Sequence, residues 1–131
     1  MQMKVFVDTS AIYAYLSKTD DFHQEAVEKF KKCLDNEWEL WIISEVLIET
    51  LALIWRRMGK DKAKEAGKWI FENFRIYWVI GDEFKETLEK ANKDKLSFVD
   101  SFLLYIASNE RASVLTFDEK MKSATTNVIF I

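Results

Sequence analysis

The chain lacks the residues that several kinds of functional site require. Its 131 residues include a single cysteine, Cys33, and a single histidine, His23. An intrachain disulfide, a Cys/His zinc site and a nuclease built on paired histidines are therefore excluded. Proline is absent and only three residues are glycine, so we expect short connections and no glycine-rich phosphate loop. Any chemistry must depend on carboxylates, hydroxyls, lysines and bound cations.

Long apolar runs and a strong charge of either sign are also missing. No apolar run reaches the roughly 18 residues that a membrane span needs, and the first residues do not resemble a signal peptide, so we expect a cytoplasmic protein. The net charge is −3 and the pI is 5.3, so contact with nucleic acid would need a local basic patch or metal ions. The length suits one domain, residues 1–131.

Five short apolar runs alternate with segments of helical periodicity. The apolar stripes of these segments are Phe22, Ala26, Val27, Phe30 and Leu34, then Ala63, Ala66, Ile70 and Phe71, and then Phe84, Leu88 and Ala91. The runs are rich in β-branched and aromatic residues and do not alternate with polar ones, which is typical of strands buried on both faces. Strands that alternate with helices predict a parallel sheet with helices on both sides. We therefore predict an α/β protein, a three-layer α/β/α sandwich with a central, mostly parallel sheet of about five strands. The predicted strands are residues 4–7, 40–43, 76–80, 113–117 and 127–131.

Four acidic residues stand where a charge is costly. Asp8 and Asp118 directly follow the first and fourth predicted strands, at the sheet edge where ligands bind in open α/β folds. Glu49 and Asp100 are each the only charge in an otherwise apolar predicted helix. A buried carboxylate loses several kcal/mol of solvation unless it is paired or bound to a metal. Carboxylates gathered at one edge favour a hard cation, Mg²⁺ or Mn²⁺.

Each acid also has a purely structural explanation. Asp8 and Asp118 could be helix N-caps, and Ser97 with Asp100 matches a capping box. Glu49 could form an ion pair with a neighbouring arginine. Taken one at a time, the acids leave the choice open. Taken together, their common position at strand ends and helix starts favours a shared metal site.

The four acids lie in short stretches that follow one another in a recognisable order and spacing. The stretches are VFVDTSA at 5–11, SEVLIE at 44–49, LSFVDS at 96–101 and LTFD at 115–118, with DFHQEA at 21–26. They make the chain similar to the PIN-domain ribonucleases, and within them to the VapC-like toxins of prokaryotic toxin–antitoxin pairs. The resemblance extends over nearly the whole chain and implies a PIN-like fold.

This resemblance implies a Mg²⁺-dependent endoribonuclease that hydrolyses RNA phosphodiester bonds, with Mn²⁺ as a possible substitute. Asp8, Glu49, Asp100 and Asp118 would be both the catalytic residues and the metal ligands, and we expect Asp8 and Asp100 to be the firmest contacts. The bound ion would activate water for in-line attack and leave a 5′-phosphate and a 3′-hydroxyl. The resemblance also implies a cognate antitoxin protein and a homodimer.

Hydroxyl groups close to the acids could support the site. Thr9, Ser10, Ser97 and Thr116 lie within three residues of an acid and could orient a carboxylate or bind a phosphate oxygen. For Ser10 and Ser97, ordinary turn and cap chemistry is an equal explanation. His23 is distant in sequence from the acids, and we expect it to have a surface role rather than to act as a base.

Basic and aromatic residues indicate possible binding surfaces. Two basic groups could hold an RNA backbone or could simply be solvated helix faces, and the large number of aromatic residues suggests a surface for a partner as well as a core. We expect the dimer and antitoxin contacts on the first two helices and on residues 46–71, with Trp55, Trp69 and Tyr13 as candidates. The basic groups are Arg56, Arg57, Lys60, Lys62, Lys64 and Lys68, and then Lys90, Lys93 and Lys95.

Other functions stay open. The chain could be a non-catalytic PIN-like module that binds RNA or protein, or an RNA-processing nuclease with no toxin role. Transfer, ribosomal and messenger RNA all fit as substrates. A response-regulator receiver domain also combines acids with Mg²⁺, but it needs paired acids after an early strand and a phosphorylated aspartate after the central one. The predicted second and third strands end without this pattern.

Overall fold

Four short parallel strands form the centre of the molecule, in the order β3-β2-β1-β4. The structure is a computed structural model that describes residues 2–91 and 95–131. Val5 of β1 lies opposite Leu40 of β2 on one side and Ser113 of β4 on the other. Because the strands are parallel, all their carboxyl ends meet at one edge of the sheet. The strands are β1 (Lys4–Val7), β2 (Glu39–Ile43), β3 (Arg75–Tyr77) and β4 (Ser113–Leu115).

Helices flank this sheet and alternate with its strands along most of the chain. The predicted α/β/α sandwich with a mostly parallel sheet is confirmed. No helix of the described residues is both long and apolar enough to cross a membrane. The helices in the described part of the chain are α1 (Thr9–Leu16), α2 (His23–Asp35), α3 (Ser44–Met58), α4 (Lys60–Asn73), α5 (Gly81–Lys90), α6 (Phe98–Asn109) and α7 (Glu119–Ser123).

The predicted fifth strand is reduced to a single bridge. Residues 127–131 run parallel to β4, but only Phe130 pairs with it, opposite Val114. The Val114 amide donates to the carbonyl of Ile129, and the Ile131 amide donates to the carbonyl of Val114, both at 3.0 Å. Within the described ranges the sheet therefore has four full strands, and residues 127–131 extend it by one bridge.

Strands β3 and β4 are shorter than their apolar runs predict, because backbone amides beyond their ends donate to side chains. The run at 76–80 leaves the ladder after Tyr77 because the Val79 amide donates to the Ser44 hydroxyl, at 3.0 Å, instead of to a neighbouring strand. The run at 113–117 ends in the same way, since the Phe117 amide donates to the Ser10 hydroxyl at 3.0 Å. Both departures occur at the carboxyl edge, where polar side chains replace backbone partners.

The core lies on both faces of the sheet. Val5, Phe6 and Val7 of β1 are completely buried, as expected for the non-alternating pattern of a central parallel strand. Phe102 and Ile106 of α6 belong to the same core cluster. Some apolar residues of the predicted helical stripes point outward instead: Phe22, Leu34, Phe71 and Leu88 are exposed.

Helices α3 and α4 form a hairpin with a one-residue connection. Gly59 both ends α3 and begins α4. Its φ of +96° lies in a region that residues with a Cβ rarely adopt. Gly67 of α4 packs under the Leu51 side chain of α3, where an added Cβ would meet that side chain at 3.7 Å. The hairpin presents two helices side by side with a groove between them.

Candidate active site

Asp8, Glu49 and Asp100 come together at the carboxyl edge of the sheet. Each offers one carboxylate oxygen, and the three oxygens lie within 4.8 Å of one another. Asp8 follows β1, Glu49 lies in the second turn of α3, and Asp100 lies in the first turn of α6. Elements that are far apart in sequence thus place these three predicted site residues in one cluster, which we call the carboxylate cluster.

Asp8 is the most buried member of the carboxylate cluster, with 4% of its surface exposed. Its Oδ2 atom accepts hydrogen bonds from the hydroxyl groups of Thr116, at 2.8 Å, and Ser10, at 2.9 Å. Its Oδ1 atom is buried and has no hydrogen-bond partner among the described residues. An unpaired buried oxygen is costly, so this atom fits a role as a cation ligand.

The backbone of Asp8 occupies the N-cap position of α1, but its side chain does not cap that helix. The Asp8 carbonyl accepts from the amides of Ala11 and Ile12, at 3.1 and 3.2 Å. Its carboxylate makes no capping hydrogen bond. Asp8 therefore has the N-cap position that we gave as one alternative, and the hydroxyl groups of Thr116 and Ser10 hold its side chain.

Glu49 is held by a threonine rather than by an arginine. The Thr9 hydroxyl donates to Glu49 Oε1 at 2.7 Å and lies 2.9 Å from the hydroxyl of buried Thr50. Since Thr9 has one proton and gives it to Glu49, Thr50 must be the donor in the second bond. The alternative of an ion pair with arginine is wrong, because none of the ion pairs among the described residues involves Glu49. The nearby Arg57 guanidinium lies 5.2 Å from the centre of the Tyr13 ring instead.

Asp100 shows half of the predicted capping box. The Ser97 hydroxyl accepts from the Asp100 amide at 3.1 Å, so Ser97 has the cap role that we gave as one alternative. Burial raises the pKa of Asp100 to about 7, and the negative charges of Asp8, Glu49 and Asp118 contribute to the increase. Its carboxylate is thus placed where a negative charge is unfavourable in the absence of a cation.

The pKa of Asp8 is raised by the same physical effect. Burial disfavours its charged form and raises the pKa, while the hydrogen bonds from Thr116 and Ser10 act in the opposite direction. Two acids with raised pKa values in one cluster are a recognised mark of a functional site. A divalent cation would stabilise the ionised form of both.

Asp118 lies outside the group of three carboxylate oxygens. Its Oδ1 atom accepts from the Lys120 amide at 2.9 Å and caps α7, so the N-cap explanation is confirmed for this residue. Its own amide donates to the Thr116 hydroxyl at 3.0 Å. Asp118 is close enough for its charge to raise the pKa of Asp100. Its role as a fourth ligand stays a prediction.

A network of hydroxyl groups joins the ends of β1 and β4. Ser10 and Thr116 lie 3.1 Å apart, and both reach the same oxygen of Asp8. The sequence correctly indicated that Thr9, Ser10 and Thr116 support the acids. It missed Thr50, whose only signal was its position next to Glu49.

His23 has a structural contact outside the carboxylate cluster. Its Nδ1 atom lies 2.8 Å from the carbonyl oxygen of Ala14, and because a carbonyl only accepts, Nδ1 carries the hydrogen. The half-buried ring thereby fastens the start of α2 to α1. This contact fits the expectation that His23 is not the catalytic base.

The basic groups are on the surface, as predicted. All six members of the first group are exposed, on the last turn of α3 and along α4. Lys62 pairs with Glu65 at 3.7 Å. In the second group Lys90 and Lys95 are exposed, and Lys93 lies outside the described residues.

An apolar groove with a basic rim runs between α3 and α4. It has a volume of about 780 Å³, and 54% of the Trp55 surface is exposed beside it. Trp69 instead packs into the molecule, with its ring stacked on Tyr15 at 5.1 Å. The apolar lining residues are Ile48, Leu51, Ala52, Trp55, Ala63, Gly67 and Phe71, and the basic ones are Arg56, Lys64 and Lys68.

Comparison with known proteins identifies the family. Residues 5–126 match the model of the PIN domain family. The chain therefore belongs to the PIN domain family, whose members are nucleases. The predicted resemblance is confirmed. No curated protein sequence matches the chain.

VapC toxins are among the solved structures that it resembles. VapC20 of Mycobacterium tuberculosis, a toxin that cleaves the sarcin–ricin loop, is 25% identical with a TM-score of 0.73 over 92% of this chain and 94% of that one. VapBC2 from Rickettsia felis, bound to a DNA fragment from the promoter, is 17% identical with a TM-score of 0.72 over 98% of both chains. PAE2754 from Pyrobaculum aerophilum is 21% identical with a TM-score of 0.68 over 98% and 83%. The last two show the fold alone.

Proposed function

We propose that the protein is a metal-dependent endoribonuclease that hydrolyses RNA phosphodiester bonds and acts as the toxin of a type II toxin–antitoxin pair. The carboxylate cluster carries the proposal, because three oxygens within 4.8 Å form a ligand set for a small hard cation. RNA as the substrate is supported by the similarity to VapC20, a toxin that cleaves the sarcin–ricin loop.

The residues of the cluster suit Mg²⁺ or Mn²⁺. Asp8, Glu49 and Asp100 would hold the ion, and Asp118 would complete the site directly or through water. All donors are carboxylate oxygens, the type that these ions prefer. When bound, the ion lowers the pKa of a water molecule and neutralises charge on the scissile phosphate. We infer a 5′-phosphate and a 3′-hydroxyl as the products.

The surrounding hydroxyl groups orient the ligands. Ser10 and Thr116 hold Oδ2 of Asp8 and leave Oδ1 free, so that one oxygen of this carboxylate is fixed and the other is available. Thr9 fixes Glu49 in the same way. Ligands that are already oriented lose little conformational freedom when they bind, which favours a rigid site.

The charge of the carboxylate cluster also affects the order in which the metal ion and the RNA bind. When ionised, its three carboxylates carry three negative charges, and these repel the phosphate of an RNA strand. Neutralisation of the carboxylates must therefore precede or accompany RNA binding. We expect chelation of divalent ions to weaken RNA binding as well as to abolish cleavage.

The direct test is cleavage of a mixed RNA by the purified protein. We expect cleavage with Mg²⁺, none with EDTA, and a loss of at least about 100-fold in Asp8→Asn and Asp100→Asn, because each removes a ligand charge. Asp35→Asn is the matched control, since Asp35 is exposed and lies at the end of α2 that leads into β2. Asp100→Asn protein that cuts RNA as fast as the wild type would refute the proposal, and RNA binding without cleavage would identify a non-catalytic PIN module.

We further propose that the α3–α4 groove holds a segment of the antitoxin. The groove has an apolar floor and a rim of Arg56, Lys64 and Lys68. This combination suits an amphipathic helix with acidic flanks. Two copies of the groove facing each other would bring six cations together, so this surface is unsuited to symmetric self-association.

The antitoxin proposal is tested with the product of the neighbouring reading frame. Ala52→Arg should weaken the complex, because the new side chain would fill the exposed groove beside Trp55. Leu88→Ala, an exposed apolar site on α5, serves as the control. Equal affinity of Ala52→Arg and the wild type would place the antitoxin elsewhere.

We also propose a cytoplasmic homodimer. Ten large apolar side chains of the described residues are exposed, and several of them lie outside the α3–α4 groove, including Trp78 and Ile80 after β3. Such residues are enriched at interfaces. Light scattering at micromolar concentration should give twice the mass of the 15.5 kDa chain, and a monomeric mass would contradict the proposal.

A further inference from the structure

The Phe22 ring is stacked on one side and exposed on the other. It lies on the Phe117 ring with the centroids 5.0 Å apart and the planes inclined by 12°. Phe117 is buried, whereas 44% of the Phe22 surface is exposed. Phe117 therefore covers one face of the Phe22 ring, and no other ring of the described residues stacks on Phe22. An aromatic face is left available at the surface.

The two-ring stack is tied to the carboxylate cluster. Phe117 stands between Thr116 and Asp118 in the sequence, and its amide donates to the Ser10 hydroxyl, which in turn donates to Asp8. The backbone of Phe117 is thus held by a residue that also contacts Asp8, and the Phe117 ring in turn holds Phe22.

The backbone at Phe22 is also fixed. Its amide donates to Oδ1 of Asp20 at 2.9 Å, and α2 begins at the next residue, His23, which is bonded to α1. A ring that is held before the ligand arrives loses little freedom when the ligand binds. The position therefore has the rigidity of a binding platform.

We propose that the free face of Phe22 stacks on a nucleobase of single-stranded RNA, in a nucleotide next to the phosphate that binds at the carboxylate cluster. The inference rests on the proposed ribonuclease function and adds how the substrate is held. Aromatic side chains bind single strands in this way because every base has a π face. Lys29, whose Nζ atom lies 6.0 Å from the centre of the Phe117 ring, adds a cation for the adjoining backbone.

The surroundings of Phe22 favour a base over a protein partner. Asp21 and Gln24 are exposed polar neighbours in sequence, and Phe22 is the one exposed large apolar side chain among residues 20–26. A protein interface needs a much larger continuous surface. Because a base in a duplex is covered by its neighbours, the platform also favours unpaired loops over double-stranded RNA.

The test is a double-mutant cycle, in which one change is made in the protein and the other in an RNA oligonucleotide. The bond that the wild type cuts is mapped first, and binding is then measured in an Asp100→Asn background, where the RNA stays intact. The oligonucleotides carry an abasic site at each position around that bond in turn. With Phe22 present, one abasic position should weaken binding by about 5- to 30-fold. With Phe22→Ala, the same abasic site should cause no further loss, because the interaction is already absent.

Further variants separate stacking from apolar area and from folding. Phe22→Trp should retain the affinity, whereas Phe22→Leu, which is apolar but not aromatic, should behave like Phe22→Ala. Leu34→Ala is the control, since Leu34 is 70% exposed and lies about 18 Å away along α2. A 2-aminopurine base at the sensitive position should be quenched by the protein with Phe22 and not by Phe22→Ala, a readout independent of cleavage.

The outcomes distinguish the inference from the function on which it rests. An abasic penalty of the same size with and without Phe22 would overturn the stacking platform while leaving the nuclease in place. If Phe22→Ala weakens antitoxin binding and leaves RNA binding unchanged, the stacking platform is overturned and the nuclease is again unaffected. A wild-type protein that cuts no RNA would overturn the proposed function, and the platform with it.

Discussion

Replacing Asp100 by asparagine should make the metal-free protein more stable. Burial and the charges of Asp8, Glu49 and Asp118 raise the pKa of Asp100 from an ordinary value of 3.8 to about 7. Asparagine has nearly the same shape as a protonated aspartate and carries no charge. The substitution should therefore remove a repulsion that the wild type experiences at neutral pH when no cation is bound.

The sign of the pH dependence follows from proton uptake. Below pH 3.8 the Asp100 carboxyl is protonated in both the folded and the unfolded protein, so burial of this group costs no charge and the folded protein has its full stability. Between pH 3.8 and about 7 the folded protein retains a proton that the unfolded chain has lost. The free energy of unfolding therefore falls as the pH rises through this window.

The size of the effect is limited by solvent. The interval from 3.8 to about 7 corresponds to about 4 kcal/mol for a fully buried group. Asp100 is only half-buried, so screening reduces the expected gain of Asp100→Asn to about 1–2 kcal/mol. For a chain of this length this is a rise in Tm of roughly 4–7 °C.

The assay is thermal or urea unfolding at pH 5 and pH 8, with EDTA and with saturating Mg²⁺. In EDTA we expect Asp100→Asn to exceed the wild type at pH 8 and to exceed it by only about a third as much at pH 5, because the penalty grows across the window from 3.8 to about 7. With Mg²⁺ the order should reverse, because the wild type gains more from the ion. Asp35→Asn should follow the wild type throughout. A less stable Asp100→Asn protein in EDTA at pH 8, or a difference independent of pH, would refute the electrostatic reasoning.

Three further predictions concern a hydrogen bond to Asp8, the connection between α3 and α4, and the basic rim of the groove. Thr116→Val should lower the free energy of unfolding in urea by about 1–3 kcal/mol and weaken Mn²⁺ binding measured by calorimetry, because Asp8 loses a buried hydrogen bond. Thr116→Ser should restore both quantities. Unaltered Mn²⁺ affinity in the valine variant would show that Thr116 does not orient Asp8. Gly59→Ala should destabilise the α3–α4 hairpin by about 1–2 kcal/mol, since φ is +96°, and an equal Cm would argue against strain there. Lys64→Gln with Lys68→Gln should flatten the salt dependence of RNA binding if this rim contacts the backbone, whereas an unchanged slope would show that it is a solvated face.

The sheet and the three clustered acids were predictable because their signals are local. Apolar runs without alternation indicate buried strands, and Asp8 stands directly at the end of one. Glu49 and Asp100 interrupt apolar helices with a charge, and that conflict is visible without a structure. The parallel topology then brings these positions to one edge.

The remaining features depend on contacts between distant segments. The early ends of β3 and β4 arise from the hydroxyl groups of Ser44 and Ser10, which no periodicity reveals. The cap role of Asp118 depends on where α7 begins after β4. The exposed ring of Phe22 sits within a regular helical stripe, so its pattern predicted burial where the structure shows a surface contact.

The strand order has a consequence for synthesis of the chain. β1 is made first, yet one of its two neighbours, β4, is made almost last. Until β4 leaves the ribosome, Asp8 has no Thr116 to hold it and Asp100 has barely emerged. A growing chain therefore holds no assembled cation site until residues 113–116 have been made and have packed against β1.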